Sequence, residues 1–161
     1  MSRIWKTIEA ADTPDGTLEL RRRGERDVLL TLDGRVLMSS HSTRSEEALA
    51  ALACEAVAGH PSPRVLIGGL GLGYTLRAAL DLLPDKARVT VAELNEQVVT
   101  YCRGPIADLS GDALADPRVD VVVADVAHVL IARRERWNAV MLDLYEGPNA
   151  ALAGDQDPLY G

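Results

Sequence analysis

Three carboxylates stand at matching places in this chain. Glu93 closes the run RVTVAE, Asp125 follows RVDVVVA, and Asp143 follows NAVML. Each run is short, apolar and rich in β-branched residues, as a buried strand is. A carboxylate at the end of such a strand can accept hydrogen bonds from hydroxyl or amino groups, hold a cation, or take up a proton. A single acid so placed is as readily a helix cap or a solvated side chain. Three at equivalent places point at one crevice.

Ahead of the acids lies VLIGGLGLGYTL, residues 65 to 76, where an aliphatic run breaks into alternating glycines. Such a turn brings backbone close to a ligand or to the next helix. The dinucleotide pattern G-x-G-x-x-G fails in every register. From Gly69 its third glycine falls on Tyr74, from Gly68 its second falls on Leu70, and from Gly71 its third falls on Leu76. No Lys-Ser or Lys-Thr pair follows, so the turn is not a phosphate-cradling loop. What remains is G-x-G-x-G: Gly69, Gly71 and Gly73. A wide glycine turn without a phosphate grip suits an uncharged nucleoside with an amino-acid tail. Glu93 lies about 20 residues beyond it, where an acid grips ribose hydroxyls in such folds.

These residues need a scaffold, and the hydrophobic pattern supplies one. Strands are expected over 17–23 and 28–38. Asp33-Gly34 signals a hairpin within the second stretch. Ser42 or Thr43 can cap a helix over 44–58, with Leu49, Leu52, Ala53, Ala56 and Val57 as its apolar face. Strands and helices then alternate: strand 64–67, helix 74–83, strand 88–92, a helix from 96, strand 118–124, helix 127–133 and strand 138–142. This alternation predicts an α/β fold, a Rossmann-like parallel sheet with helices on both faces. A small N-terminal antiparallel hairpin or meander precedes it. The expected division is a meander over 1–40 and a nucleoside-binding α/β unit over 41–161. The stretch LYEGPNAALAGDQDPLYG is loop-like, so C-terminal strands look missing and the chain truncated. An uncovered sheet edge would encourage pairing with a second copy, a homodimer.

Composition narrows the function classes. The formal net charge of -7 argues against nucleic acid as a partner, because phosphate binding needs a basic footprint. It suits small cationic ligands, and equally simple solubility. Aromatics are 4% and Phe is absent, so the core must be aliphatic. No segment is apolar enough for a signal peptide or a membrane span, which points to the cytoplasm. Cys54 and Cys102 match no metal or redox spacing and read as reduced, buried side chains. The run Arg21-Arg22-Arg23 reads as a solvated strand end. His60 and His128 read as surface or helix-end residues.

The segments VLIGGLGLGYTLRAAL, VTVAELNEQVV, DPRVDVVVADV and WNAVMLDLYEGP resemble spermidine synthases and their relatives, which share the class I methyltransferase fold. The resemblance spans about residues 17 to 160 in order and spacing. It implies that Gly69, Gly71 and Gly73 lie under the methionine-like part of S-adenosylmethionine or its decarboxylated form. It implies that Glu93 binds both ribose hydroxyls. Asp125 would accept from the adenine amino group, with Val126 beside the ring. Asp143 matches the acid thought to help deprotonate the attacking amine, and Glu146 stands in for the second acid of that loop. Tyr145 would line an acceptor pocket or pack. The implied partner is a small-molecule amine, with no metal and no membrane.

The chain also departs from the family. Polyamine synthases carry a Gln after the hairpin and a Tyr-His pair in the next helix. Here RVLMSSHSTRSEEAL places Met38 or a neighbour at the Gln, lacks the Tyr-His pair, and offers only His41 nearby. The loop DLYEGP is shorter than the family's two-aspartate loop. Three readings therefore stand side by side: an aminopropyl transferase, a methyltransferase acting on another small molecule with S-adenosylmethionine, and a nucleoside-binding scaffold without catalysis.

Overall fold

The computed structural model describes residues 4–133 and 136–144. The N-terminal part is a four-stranded antiparallel meander: β1 (Lys6–Thr13), β2 (Gly16–Arg23), β3 (Asp27–Leu32) and β4 (Arg35–Ser39). Asp33 and Gly34 join β3 to β4 with φ of 47° and 79°. Two consecutive left-handed residues make the turn whose twist matches the flanking strands. The Asp33 carboxylate reaches back to accept from Thr17 N–H at 2.8 Å and tie the turn to β2. β1 lies outside the strands expected from sequence. Lys6 through Ala10 are all exposed, so β1 has no apolar alternation to reveal it.

The α/β part runs α1 (Arg44–Ala56), β5 (Arg64–Gly68), α2 (Tyr74–Leu82), β6 (Arg88–Glu93), α3 (Glu96–Arg103), β7 (Val119–Val123), α4 (Val126–Ala132) and β8 (Ala139–Leu142). Two 3-10 turns, Ala107–Ser110 and Ala113–Ala115, fill the link to β7. The four strands are parallel in the order β7-β6-β5-β8. The chain therefore lays strands outward on one side of β5, then crosses back to the other side. Ligands bind outside the carboxyl ends of strands at such a reversal.

Helices cover both faces. Val65, Ile67, Val89, Val91 and Met141 face α1, α2 and α3, while Leu66 and Ala92 face Val126 and Val129 of α4. Leu18, Leu20, Val28, Leu30 and Leu32 of the meander join the first of these clusters, so one aliphatic core runs through both sheets. Each buried Leu, Ile or Val contributes about 1.5–3 kcal/mol.

Helix α1 packs with part of the expected face: Leu49 and Ala53 lie against the core beside Val57, while Ala56 is exposed. Ala50, Cys54 and Val57 are buried, but Leu52 is 69% exposed. Small residues let α1 approach α2 closely, and the Cys54 thiol points at Ala79 O, 3.9 Å away. Thr43 occupies the N-cap position, but its hydroxyl donates to Glu47 at 3.0 Å rather than capping a backbone N–H.

The arginine run is also more engaged than a solvated strand end. Arg23 forks onto Asp27 at 3.0 and 2.9 Å and stacks over Trp5 at 4.6 Å. Arg22 lies 3.6 Å from Asp108.

Candidate active site

The glycine turn is built by β5 running straight into it. Gly69 N–H donates to Ala92 O at 2.9 Å, Asp143 N–H to Gly68 O at 2.8 Å, and Ala124 N–H to Glu93 O at 3.0 Å. These bonds carry the parallel ladder past the strand ends. They set the chain at Glu93, Gly69, Ala124 and Asp143 side by side along one rim.

Gly69, Gly71 and Gly73 take φ of 92°, 55° and 88°, the left-handed region that side chains disfavour. None of the three has room for a side chain, Gly73 because its Cβ would lie 2.9 Å from the Ser110 Cβ. A Cβ on Gly69 would meet the backbone oxygen of Asp143, and one on Gly71 would meet the Met38 thioether. The Gly69 approach lets β8 end directly over the turn. The Gly71 approach shows that the meander reaches the turn through β4.

Glu93 is clasped by that turn. Its Oε2 accepts from Leu70 N–H at 2.8 Å and its Oε1 from Asn95 N–H at 2.9 Å. Burial pushes the Glu93 carboxyl above its ordinary range. The N–H groups of Asn95, Leu70, Leu94 and Gly71 pull it back. Asn95 in turn caps α3 through Gln97 N–H at 2.9 Å. Leu94, beside the acid, is 65% exposed on the rim.

Asp143 is held on both its main chain and its side chain. Its Oδ2 accepts from the Thr75 hydroxyl at 2.6 Å. Burial raises the Asp143 carboxyl, the Thr75 hydroxyl lowers it, and the negative charge of Glu46 raises it further. Asp125 caps α4, its Oδ1 accepting from Ala127 N–H at 2.8 Å. Val126 is buried against Gly68. Glu146 and Tyr145 lie outside the described residues.

Cys102 donates its thiol to Gly71 O at 3.3 Å. Burial, then the charge of Glu93, pushes that thiol up to about 12. A thiol held protonated is no nucleophile, so Cys102 serves the turn as a buried donor. Among the described residues, no group of three or more His, Cys, Asp or Glu is arranged to hold a metal ion, and no helix is long and apolar enough to cross a membrane.

Sequence reasoning missed Thr75, the Cys102 donor and the seat of Met38 on Gly71. Only Thr75 left a signal, as a hydroxyl two residues after the last glycine of the turn. The arrangement can cradle a nucleoside-like ligand against backbone. It also sets two desolvated acids beside it, one able to hold hydroxyls and one to take a proton.

No family model matches the chain. Among curated proteins it is 35% identical over 133 residues to polyamine aminopropyltransferase 1 of Streptomyces coelicolor, covering 81% of this chain and 24% of that protein. It is 34% identical over 143 residues to the polyamine aminopropyltransferase of Aeropyrum pernix, covering 87% and 40%. It is 28% identical over 151 residues to that of Bacillus subtilis, covering 93% and 53%. The chain thus spans about half or less of the length of these relatives. Among solved structures, spermidine synthase from Thermotoga maritima matches with a TM-score of 0.73 at 20% identity, over 88% of this chain and 47% of that one. A spermidine synthase in complex with the transition state analogue AdoDATO matches with a TM-score of 0.72 at 22% identity, over 85% and 47%. The structural matches establish a shared fold.

Proposed function

We propose, from the premise that this is a spermidine-synthase-like chain in sequence and fold, that it binds a sulfonium nucleoside and serves aminopropyl transfer to a small amine. The observation that carries this reading is the convergence of two desolvated acids, Glu93 and Asp143, on a glycine turn with no phosphate grip. In this reading Gly69, Gly71 and Gly73 give the donor's tail access to backbone. Glu93 takes the ribose hydroxyls with the lone pairs that Leu70 and Asn95 leave open. Asp125 and Val126 border the adenine.

The reaction asks little covalent chemistry of the protein. The amine nitrogen attacks the propyl carbon, the carbon–sulfur bond breaks, and a neutral thioether nucleoside leaves. The nitrogen sheds one proton, which Asp143 accepts, with Glu146 as the second acid of that loop. The rest is alignment of nitrogen, carbon and sulfur. A carboxylate whose affinity for protons is raised by burial is better matched to an ammonium group than an ordinary aspartate. The turn, residues 68 to 75, carries no Lys or Arg. That favours the decarboxylated donor over S-adenosylmethionine, whose carboxylate asks for a cationic partner. For the same reason methyl transfer is the second reading.

Calorimetric titration with S-adenosylmethionine, its decarboxylated form and methylthioadenosine tests this, on the wild type and Glu93→Ala. Tighter binding of the decarboxylated donor, lost in the variant, is the expected result. Preference for S-adenosylmethionine would move the assignment to methyl transfer. Absence of binding to all three would leave a turn that only joins β5 to α2.

A further inference from the structure

We infer that Thr75 is a positioning residue for Asp143, fixing which carboxylate oxygen faces the crevice. The inference rests on the reading of Asp143 as the proton acceptor, and it adds a residue to that site.

Thr75 is the second residue of α2 and only 1% exposed. A hydroxyl so buried must find an acceptor or cost stability. A threonine in a helix commonly bonds the carbonyl four residues back. Here that carbonyl belongs to Gly71 and already accepts the Cys102 thiol at 3.3 Å. The Thr75 hydroxyl instead spans 68 residues of sequence to Asp143 Oδ2, at 2.6 Å. The main chain of Asp143 is pinned independently, by its N–H on Gly68 O and by its carbonyl against Gly69. With backbone and Oδ2 both fixed, the carboxylate plane cannot turn freely. Among the described residues, Oδ1 accepts no hydrogen bond.

The proton balance follows. Before reaction the carboxylate carries the charge and the Thr75 hydroxyl donates to Oδ2. When the amine attacks, its proton passes to Oδ1. The Thr75 bond stays on Oδ2, which is then the carbonyl oxygen of a neutral acid. The hydroxyl thus selects the oxygen that receives the proton, and it holds Asp143 ionised against the burial that would protonate it.

The test is a carboxyl-carbon NMR titration of Asp143, assigned with Asp143→Asn, in the wild type, Thr75→Val and Thr75→Ser. It is paired with the pH dependence of kcat for amine plus decarboxylated donor. Thr75→Val should move the Asp143 titration upward and carry the acidic limb of kcat with it. Turnover at neutral pH should fall by on the order of tenfold, with donor KM little changed. Thr75→Ser should restore both. A Thr75→Val titration identical to wild type would overturn the inference. Should the valine variant fail to fold, the wild-type Thr75 hydroxyl proton decides: it must be protected from exchange and shift as Asp143 titrates. A moved titration in Thr75→Val, beside a wild type that transfers no aminopropyl group, would instead sink the proposed function and leave the Thr75–Asp143 pair standing.

Discussion

Asp143 carries a cost that the rest of the molecule must bear. Burial raises its carboxyl, so the fold favours the protonated acid over the ionised one. The folded value lies above the unfolded one. The penalty is therefore absent below the ordinary carboxylate range, grows as pH rises through it, and is complete above the raised value. Asp143→Asn removes that penalty and can still accept from Thr75 through its amide oxygen. We expect the variant to unfold like the wild type in acid and to be the more stable at neutral pH, while losing transfer. Urea unfolding at the two pH values checks this, and a wild type more stable than the variant at neutral pH would refute it. At this scale the acids were legible in the sequence because strand periodicity placed them at strand ends. The Thr75 bond and the seat of Met38 were not, since no local period marks a contact made across the fold.

Elements differ in how plainly they announce themselves. The Asp33-Gly34 hairpin and the parallel strands were legible because turn chemistry and apolar runs are local. β1 was not, because KTIEAADT buries almost nothing and is a strand only by pairing with β2. The face of α1 was misread at Leu52, because small residues rather than large ones set the distance to α2. The link before β7 hides another device. Asp116 and Arg118 form a forked pair at 3.0 and 2.8 Å, and Arg118 also donates to Leu83 O at 3.0 Å. This joins the start of β7 to the end of α2. The guanidinium holds the Asp116 carboxyl down to about 2, with both side chains under one-fifth exposed. A depressed acid stabilises the fold above the unfolded value near 3.8, and the gain is lost as pH falls toward 2. Asp116→Asn should cost about 2 kcal/mol at neutral pH. Denaturant melts should show the gap closing on acidification; a gap constant with pH would mean that packing, not charge, holds this corner.

Across the whole molecule, the meander and the parallel sheet share one core, and Met38 extends that union to the rim of the site. Gly71→Ala should therefore fail twice. A side chain at φ of 55° costs about 1–2 kcal/mol, and the Met38 thioether must also move. Adding Met38→Ala should recover the second loss and leave the first. Additive losses in the double-mutant cycle would show that the two residues do not press on each other.

The seat of Met38 makes the glycine turn a joint possession of two sheets. Coupling between them must run both ways. A ligand that tightens the turn also tightens β3 and β4, and a change in the packing of those strands alters the affinity of a site that β4 reaches through Met38. Grafting a different N-terminal hairpin onto this α/β unit would therefore retune its binding, even with every acid and every glycine left in place.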